Sequence, residues 1–191
     1  MALDAMSEVS DDALLARYAH GDREAARSLT LRLAPRILGH AFRLLGDRAE
    51  AEDVTQEALL RLWRIAPDWR PGEAKVTTWL YRVTANLCTD RLRRTRHALL
   101  DEVPEIADGS PAADQTLLAK SRAAALQVAL AALPARQREA VSLRHIEGLG
   151  NPEIAEIMDI SVEAVESLTA RGKRALAKTL AARRADLGFE P

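Results

Sequence analysis

Residues Glu153–Leu168 read EIAEIMDISVEAVESL. Ile154, Ile157 and Met158 recur at helical spacing, the pattern stops at Asp159, and Val162, Val165 and Leu168 resume it. Two short helices joined by a tight turn satisfy that spacing. Asp tolerates left-handed backbone better than most residues, so Asp159 suits the turn, and Ser161 is a good N-cap for the helix that follows. Ala155 puts a small side chain where the helices cross, and Ile160 an apolar one in the turn. This is the pattern of a helix-turn-helix, whose second helix lies in the DNA major groove. Two acids, Glu163 and Glu166, stand on that second helix, where they would face phosphate.

Upstream, Asn151 is expected to cap the first helix of the pair with Pro152 at its first position, where a missing N–H costs nothing. Arg136–Ile146 forms another helix, closed by Gly148-Leu149-Gly150, and Leu117–Leu133 an Ala/Leu-rich one ended by Pro134. Downstream, no acid occurs between Glu166 and Asp186, while Arg171, Lys173, Arg174, Lys178, Arg183 and Arg184 accumulate. Such a run neutralises duplex phosphates. The plainer alternative is a solvated helix end, favoured by the helix dipole.

The whole chain fits an all-α protein. It has 191 residues, 48% hydrophobic and only 4% aromatic, with almost no alternating β-branched pattern. A single cysteine, Cys88, leaves no disulfide framework, suits a reducing cytoplasm and is most simply a packing residue. No apolar run approaches the roughly 20 residues of a membrane span, and the acidic start MALDAMSEVSDD is unlike a signal peptide.

Net charge is -1, but it is segregated. From Asp11 to His97 there are sixteen Lys/Arg and twelve Asp/Glu; from Ala98 to Lys120 a single Lys faces five acids. The stretch ALLDEVPEIADGSPAADQ, with Pro104, Gly109 and Pro111, keeps no helical period and reads as a flexible acidic linker. Two small helical domains follow, 11–97 and 119–182, with a linker at 98–118 and tails at 1–10 and 183–191.

In the first domain, a helix starts at Ser10 or Asp11 and stops near Gly21. A second begins at Asp22 and carries Leu29, Leu33, Ile37, Ala41 and Leu45, with Pro35 expected to kink or divide it. A third runs from Arg48 to Ala66; its buried face leaves Glu52, Asp53, Gln56, Glu57 and Arg61 outside, either as a solvated face or as a partner surface. After the loop DWRPGEAK, KVTTWLYRVTANLCTDRLRRTR (Lys75–Arg96) interleaves Arg82, Arg91, Arg93, Arg94 and Arg96 with aromatic and amide groups, a composition suited to single strands. Trp79, with Leu80, Val83 and Leu87, is read as core. Asn86, poor in mid-helix, should point to solvent or a ligand.

No catalytic constellation is present: His20, His40, His97 and His145 are scattered, and there is no HExxH, Gly-rich phosphate loop or Cys-His pair at ligand spacing. No metal or cofactor is expected.

Taken in order, these segments resemble bacterial sigma factors of the extracytoplasmic-function (ECF) group. AEDVTQEALLRLW resembles the polymerase-binding helix of region 2, KVTTWLYRVTANLCTDRLRR the promoter-melting helix, and LPARQREAVSLRHIEGLGNPEIAEIMDISVEAVES the promoter-reading region 4. The resemblance implies that Asp53, Gln56, Glu57 and Arg61 contact core RNA polymerase, through its β′ clamp helices, with β a second partner subunit. It implies that Asn86 takes a flipped base of the minus-ten element in a pocket shaped by residues 70–75 and Thr77. Lys75, Arg82, Arg91, Arg93 and Arg94 complete that set. For the minus-thirty-five element it implies Ser161, Glu163, Ala164, Glu166, Ser167, Arg171, Lys173 and Arg174. It further implies a cytoplasmic transcription factor without catalytic residues, held by an anti-sigma factor. Where the family commonly has VKSR, this chain has Val165-Glu166-Ser167-Leu168. A glutamate can accept from cytosine N4; otherwise it repels phosphate. The competing reading is a stand-alone helix-turn-helix regulator, which would have no use for the Arg-rich helix with Asn86.

Overall fold

The computed structural model describes residues 9–98 and 115–181. Among them every regular element is helical. The middle of the acidic linker and both tails, with Arg183 and Arg184, lie outside the described residues.

Helix α1 (Asp11–Ala19) starts where Ser10 Oγ accepts from the Ala13 N–H at 3.2 Å. Helix α2 (Arg23–Leu45) is capped by Asp22, whose carboxylate accepts from the N–H groups of Glu24 and Ala25. Pro35 neither ends nor divides it. Pro35 lies on the water side of the helix and Leu31 beside it is 61% exposed, so solvent is at hand for the carbonyl that loses its helical donor. Gly46, at φ 79°, closes α2 in left-handed conformation, and Asp47 caps α3 (Arg48–Ile65). A 3₁₀ turn (Ala66–Asp68) and an irregular loop lead into α4 (Val76–Ala98).

The second domain comprises α5 (Gln115–Ala131), α6 (Ala135–Val141) continuing as a π turn (Ser142–Ile146), α7 (Asn151–Met158) and α8 (Val162–Ala181). The cap of α7 differs from expectation by one residue: Gly150 is the N-cap and Asn151 already helical. Glu153 explains the shift, because its carboxylate reaches back to accept from the Gly150 N–H at 3.0 Å. Asp159 takes the left-handed turn at φ 52°, and Ser161 Oγ accepts from the Ala164 N–H. A further close approach, of α8 to α6, lies at Gly172, where a Cβ would lie 2.5 Å from Val141 Cγ2.

Leu14, Leu15, Leu29, Leu33, Ile37, Leu62, Leu80 and Tyr81 of the first domain form one buried cluster with Leu143, Ile154, Ile157, Met158 and Val165 of the second. The two domains therefore pack on each other. Tyr81, read from sequence as part of the mixed aromatic and cationic surface, is 1% exposed and belongs to this core.

Candidate functional site

The outer faces of α3 and α4 enclose a polar cleft of about 510 Å³. From α3 it takes Asp53, Gln56, Glu57, Leu60 and Arg61; from α4, Leu87, Asp90, Arg91 and Arg94. The buried stripe Ala51, Val54, Ala58 and Leu62 fixes the rotation of α3, which turns those polar residues outward. Arg61 Nε donates to Glu57 Oε1 at 2.8 Å, and this bond holds the Glu57 carboxyl below its ordinary pKa. Arg91 pairs with Glu50 and lies 3.6 Å from Asp53 Oδ2, so it is tied to α3. The four residues expected to meet polymerase thus share one cleft with two of those expected to meet minus-ten DNA.

Farther along α4, Arg82, Asn86, Arg93 and Arg94 are exposed. Thr77 is half-buried. At the N-terminal end of the helix, Trp79 stands edge-on to Trp69 with ring centroids 6.1 Å apart, and both line a pocket of about 220 Å³ with Ile65, Asp68, Arg70, Glu73 and Ala74. Gly72, at φ 92°, makes the loop turn that closes it. Trp79 was expected in the core; it is half-buried, one side on the core and the other on this pocket. Asn86 does not line the pocket. It lies two turns on, about 10 Å along the same face of the helix. Lys75 is engaged by the other domain: its Nζ donates to Glu153 Oε1 at 2.5 Å, which raises the ammonium pKa and lowers that of the carboxyl.

On α8, Val165 is fully buried and sets the outward face, on which Ser161, Glu163, Glu166, Ser167, Arg171, Lys173 and Arg174 are exposed and Ala164 half-buried. Both glutamates have internal partners. The Glu163 carboxylate is held below its ordinary pKa first by its own backbone N–H and then by the Ser161 hydroxyl, an acid placed at the positive end of the helix. Glu166 Oε1 accepts from Asn151 Nδ2 at 3.3 Å. Arg171 folds back on its own helix, donating to Ser167 Oγ at 2.7 Å.

The exposed basic residues of α4 and α8 and the polar cleft between α3 and α4 invite comparison with known proteins. Residues 29–98 match the family model Sigma-70 region 2, and residues 123–176 match Sigma-70, region 4. The ECF RNA polymerase sigma factor SigM of Mycobacterium tuberculosis (strain H37Rv) is 36% identical over 174 residues, 91% of this chain and 86% of that one. The chain belongs to the ECF sigma factors. The ECF RNA polymerase sigma factor SigE of Mycolicibacterium smegmatis is 37% identical over 170 residues, which cover 85% of this chain and 65% of that one. Among solved structures, CnrH in complex with the cytosolic domain of CnrY superposes with a TM-score of 0.67 at 27% identity, covering 90% of this chain and 97% of that one.

Sequence reading of this sigma factor missed Trp69 and the pocket it makes with Trp79. The signal available was two tryptophans ten residues apart across a Pro-Gly loop, but nothing local says that their rings meet. It also passed over Arg36, His40 and Arg43, polar residues at helical spacing on α2, which the fold turns toward the second domain. Among the described residues no group of three or more His, Cys, Asp or Glu is placed to hold a metal ion, and no helix is long and apolar enough to cross a membrane.

Proposed function

We propose that this sigma factor docks on core RNA polymerase through the α3–α4 cleft, separates and holds the minus-ten strand on α4, and presents α8 to the minus-thirty-five duplex. The observation that carries this reading is the exposed row Arg82, Asn86, Arg93 and Arg94 on α4, beside the cleft that holds Asp53, Gln56, Glu57 and Arg61. Cations on one helix face neutralise a displaced strand, and an amide has both the donors and the acceptor to read an unstacked base. The Trp69–Trp79 pocket offers aromatic walls for a base, with the loop Arg70–Lys75 as its rim. Unstacking costs a few kcal/mol, which backbone contacts made by the polymerase-bound chain offset.

A sigma factor acts in the cytoplasm with its polymerase, and no catalytic group of its own is required. Kinship also points to a protein that holds it inactive: CnrH is captured with the cytosolic domain of CnrY, and an anti-sigma factor covering the faces of α3, α4 and α8 is the equivalent partner here. The test is co-elution with core polymerase, followed by promoter melting read with a fluorescent base analogue. Wild type is expected to bind core and melt the promoter. Core binding without promoter-dependent melting by any ECF-type promoter would overturn the roles assigned to α4.

A further inference from the structure

The π turn Ser142–Ile146 carries two exposed basic side chains, Arg144 and His145, and α8 adds a third. Gly172 lets α8 lie against Val141 of α6. The next residue, Lys173, then comes near enough for its charge to act on His145, four residues beyond Val141. Arg144 Nη1 donates to the Leu149 carbonyl at 2.9 Å, which fixes the guanidinium beside the loop into α7 and leaves its other donors unused among the described residues. Lys173 has no hydrogen bond or ion pair among those residues either.

The acids on the elements packed around the turn are engaged elsewhere. Glu147 points inward: its side chain is 7% exposed, with Arg43 on one oxygen and the Tyr81 hydroxyl on the other. On α7, Glu153 is bonded to Lys75, and Glu156 acts on the same ammonium. On α6, Glu139 lines the small cavity with Leu44 and Cys88. On α8, Glu166 accepts from Asn151 and stands two turns before Lys173, about 10 Å along the helix. The groups of α2 on this side, Arg36, His40 and Arg43, bring no negative charge. The positive field at the turn is therefore uncompensated, and His145 registers it. Partial burial first, then the charges of Lys173 and Arg144, hold its imidazole below its ordinary pKa. Basic donors from two elements, with no acid among them, suit an anion that has several acceptor oxygens.

We propose that His145 is a proton-linked phosphate contact: with Arg144 and Lys173 it grips the backbone of the minus-thirty-five duplex, and its imidazole takes up a proton from solvent as the phosphate arrives. This deepens the reading of α8 as the helix that meets duplex, and rests on it. Lys173 shares a helical stripe with Glu166 and Ala170, so the cluster borders the outward face of α8. A neutral imidazole offers one donor; the protonated ring offers two and adds a third charge to those of Arg144 and Lys173. The sign of the pH dependence follows. Phosphate favours the charged ring and so raises the pKa of His145 in the complex. The added affinity is fully present below the pKa of the free chain, and it is lost as pH rises through the higher value of the complex. Arg144 and Lys173 stay charged throughout, so duplex is held more tightly on acidification but is not released when the ring is neutral.

The test follows the imidazole Cε1–H resonances of the full chain by NMR across pH, with that of His145 identified by its loss in His145→Gln. Three samples at low salt are compared: the chain alone, the chain with inorganic phosphate, and the chain with a duplex of about 20 base pairs of arbitrary sequence, because a backbone contact carries no sequence information. Alone, His145 is expected to titrate below an ordinary histidine, and Lys173→Gln to bring it back up. Duplex is expected to raise its midpoint, with affinity falling about tenfold between about pH 5.5 and about pH 8. His145→Gln is expected to abolish that fall and, at the acid end, to reduce the slope of log affinity against log salt by about 0.9. A midpoint that duplex leaves unmoved, or a His145→Gln chain with the full pH dependence, overturns the contact. An equal rise with inorganic phosphate overturns its assignment to duplex. No polymerase enters and no promoter sequence is read, so this contact can fail here while the promoter roles stand, and those roles fail only in the melting experiment.

Discussion

Helices α4 and α8 are the two proposed readers of DNA, and they hold their charge differently. On α4, Arg82, Arg93 and Arg94 are exposed, and Asn86 stands among them. On α8 the cations come late, after a first turn and a half in which Glu163 closes the helix end and Glu166 is held by Asn151. The contrast answers the puzzle of acids on a recognition helix. They stabilise the helix-turn-helix itself, so they need not read bases, and the affinity lost to phosphate repulsion can be supplied elsewhere. When the chain rides on polymerase, α8 meets its element at high effective concentration. A stand-alone regulator has no such help.

The comparison can be broken at four points, from the largest expected effect to the smallest. Asn86→Ala removes the proposed base contact, and promoter melting should fall about tenfold to a hundredfold, the cost of about 1–3 kcal/mol per stacked or bonded base, with core binding near wild type. Normal melting would detach α4 from the promoter. Asp53→Ala combined with Gln56→Ala should weaken core binding about tenfold in a competition assay, without changing the melting rate of saturated holoenzyme. Equal binding would return α3 to a solvated face.

The third test concerns the seam between the helices' domains. Glu139 of α6 lines a small cavity with Leu44, Cys88 and Leu92, and burial raises its carboxyl to about 7, opposed only weakly by Arg136; Arg138 lines the same cavity. An acid raised in the folded state is stabilising while both states are protonated, below about pH 4.5, and that stability is lost as pH rises toward 7. Glu139→Gln should therefore remove a decline of about 2 kcal/mol between pH 5 and 7, measured as the difference between the two proteins' melts. Taking the difference cancels His40, whose burial lowers it to about 3 and gives a slope of the opposite sign. Parallel melts would mean that Glu139 is hydrated. Last, Glu166→Gln should tighten binding to minus-thirty-five duplex about twofold at low salt, by removing one repelled charge. A loss of sequence preference instead would make Glu166 a base reader.

Much of the fold was legible because its determinants are local. Ser161 caps its helix as expected, Ser10 rather than Asp11 caps α1, Asp22 caps the helix expected to begin at it, and Asp159 makes the turn. The exceptions depend on distant partners. Glu153 moved the α7 cap by one residue, solvent on one side let α2 run through Pro35, and Gly172 became a crossing point only because Val141 lies against it. The candidate surfaces show the same division. Exposure of Asn86, Asp53 or Arg174 follows from helical period. The engagement of Arg91 with Glu50, of Lys75 with Glu153, and the burial of Tyr81 on Glu147 follow from packing of elements far apart in the chain.

The most direct test of the central claim compares two affinities in one buffer: the purified chain for a promoter duplex alone, and the same chain with core RNA polymerase, with strand separation read in parallel. The account predicts feeble, salt-sensitive duplex binding by the chain alone, and tight binding with melting only when polymerase is present. Tight, sequence-specific duplex binding without polymerase, unchanged by adding it, would contradict it.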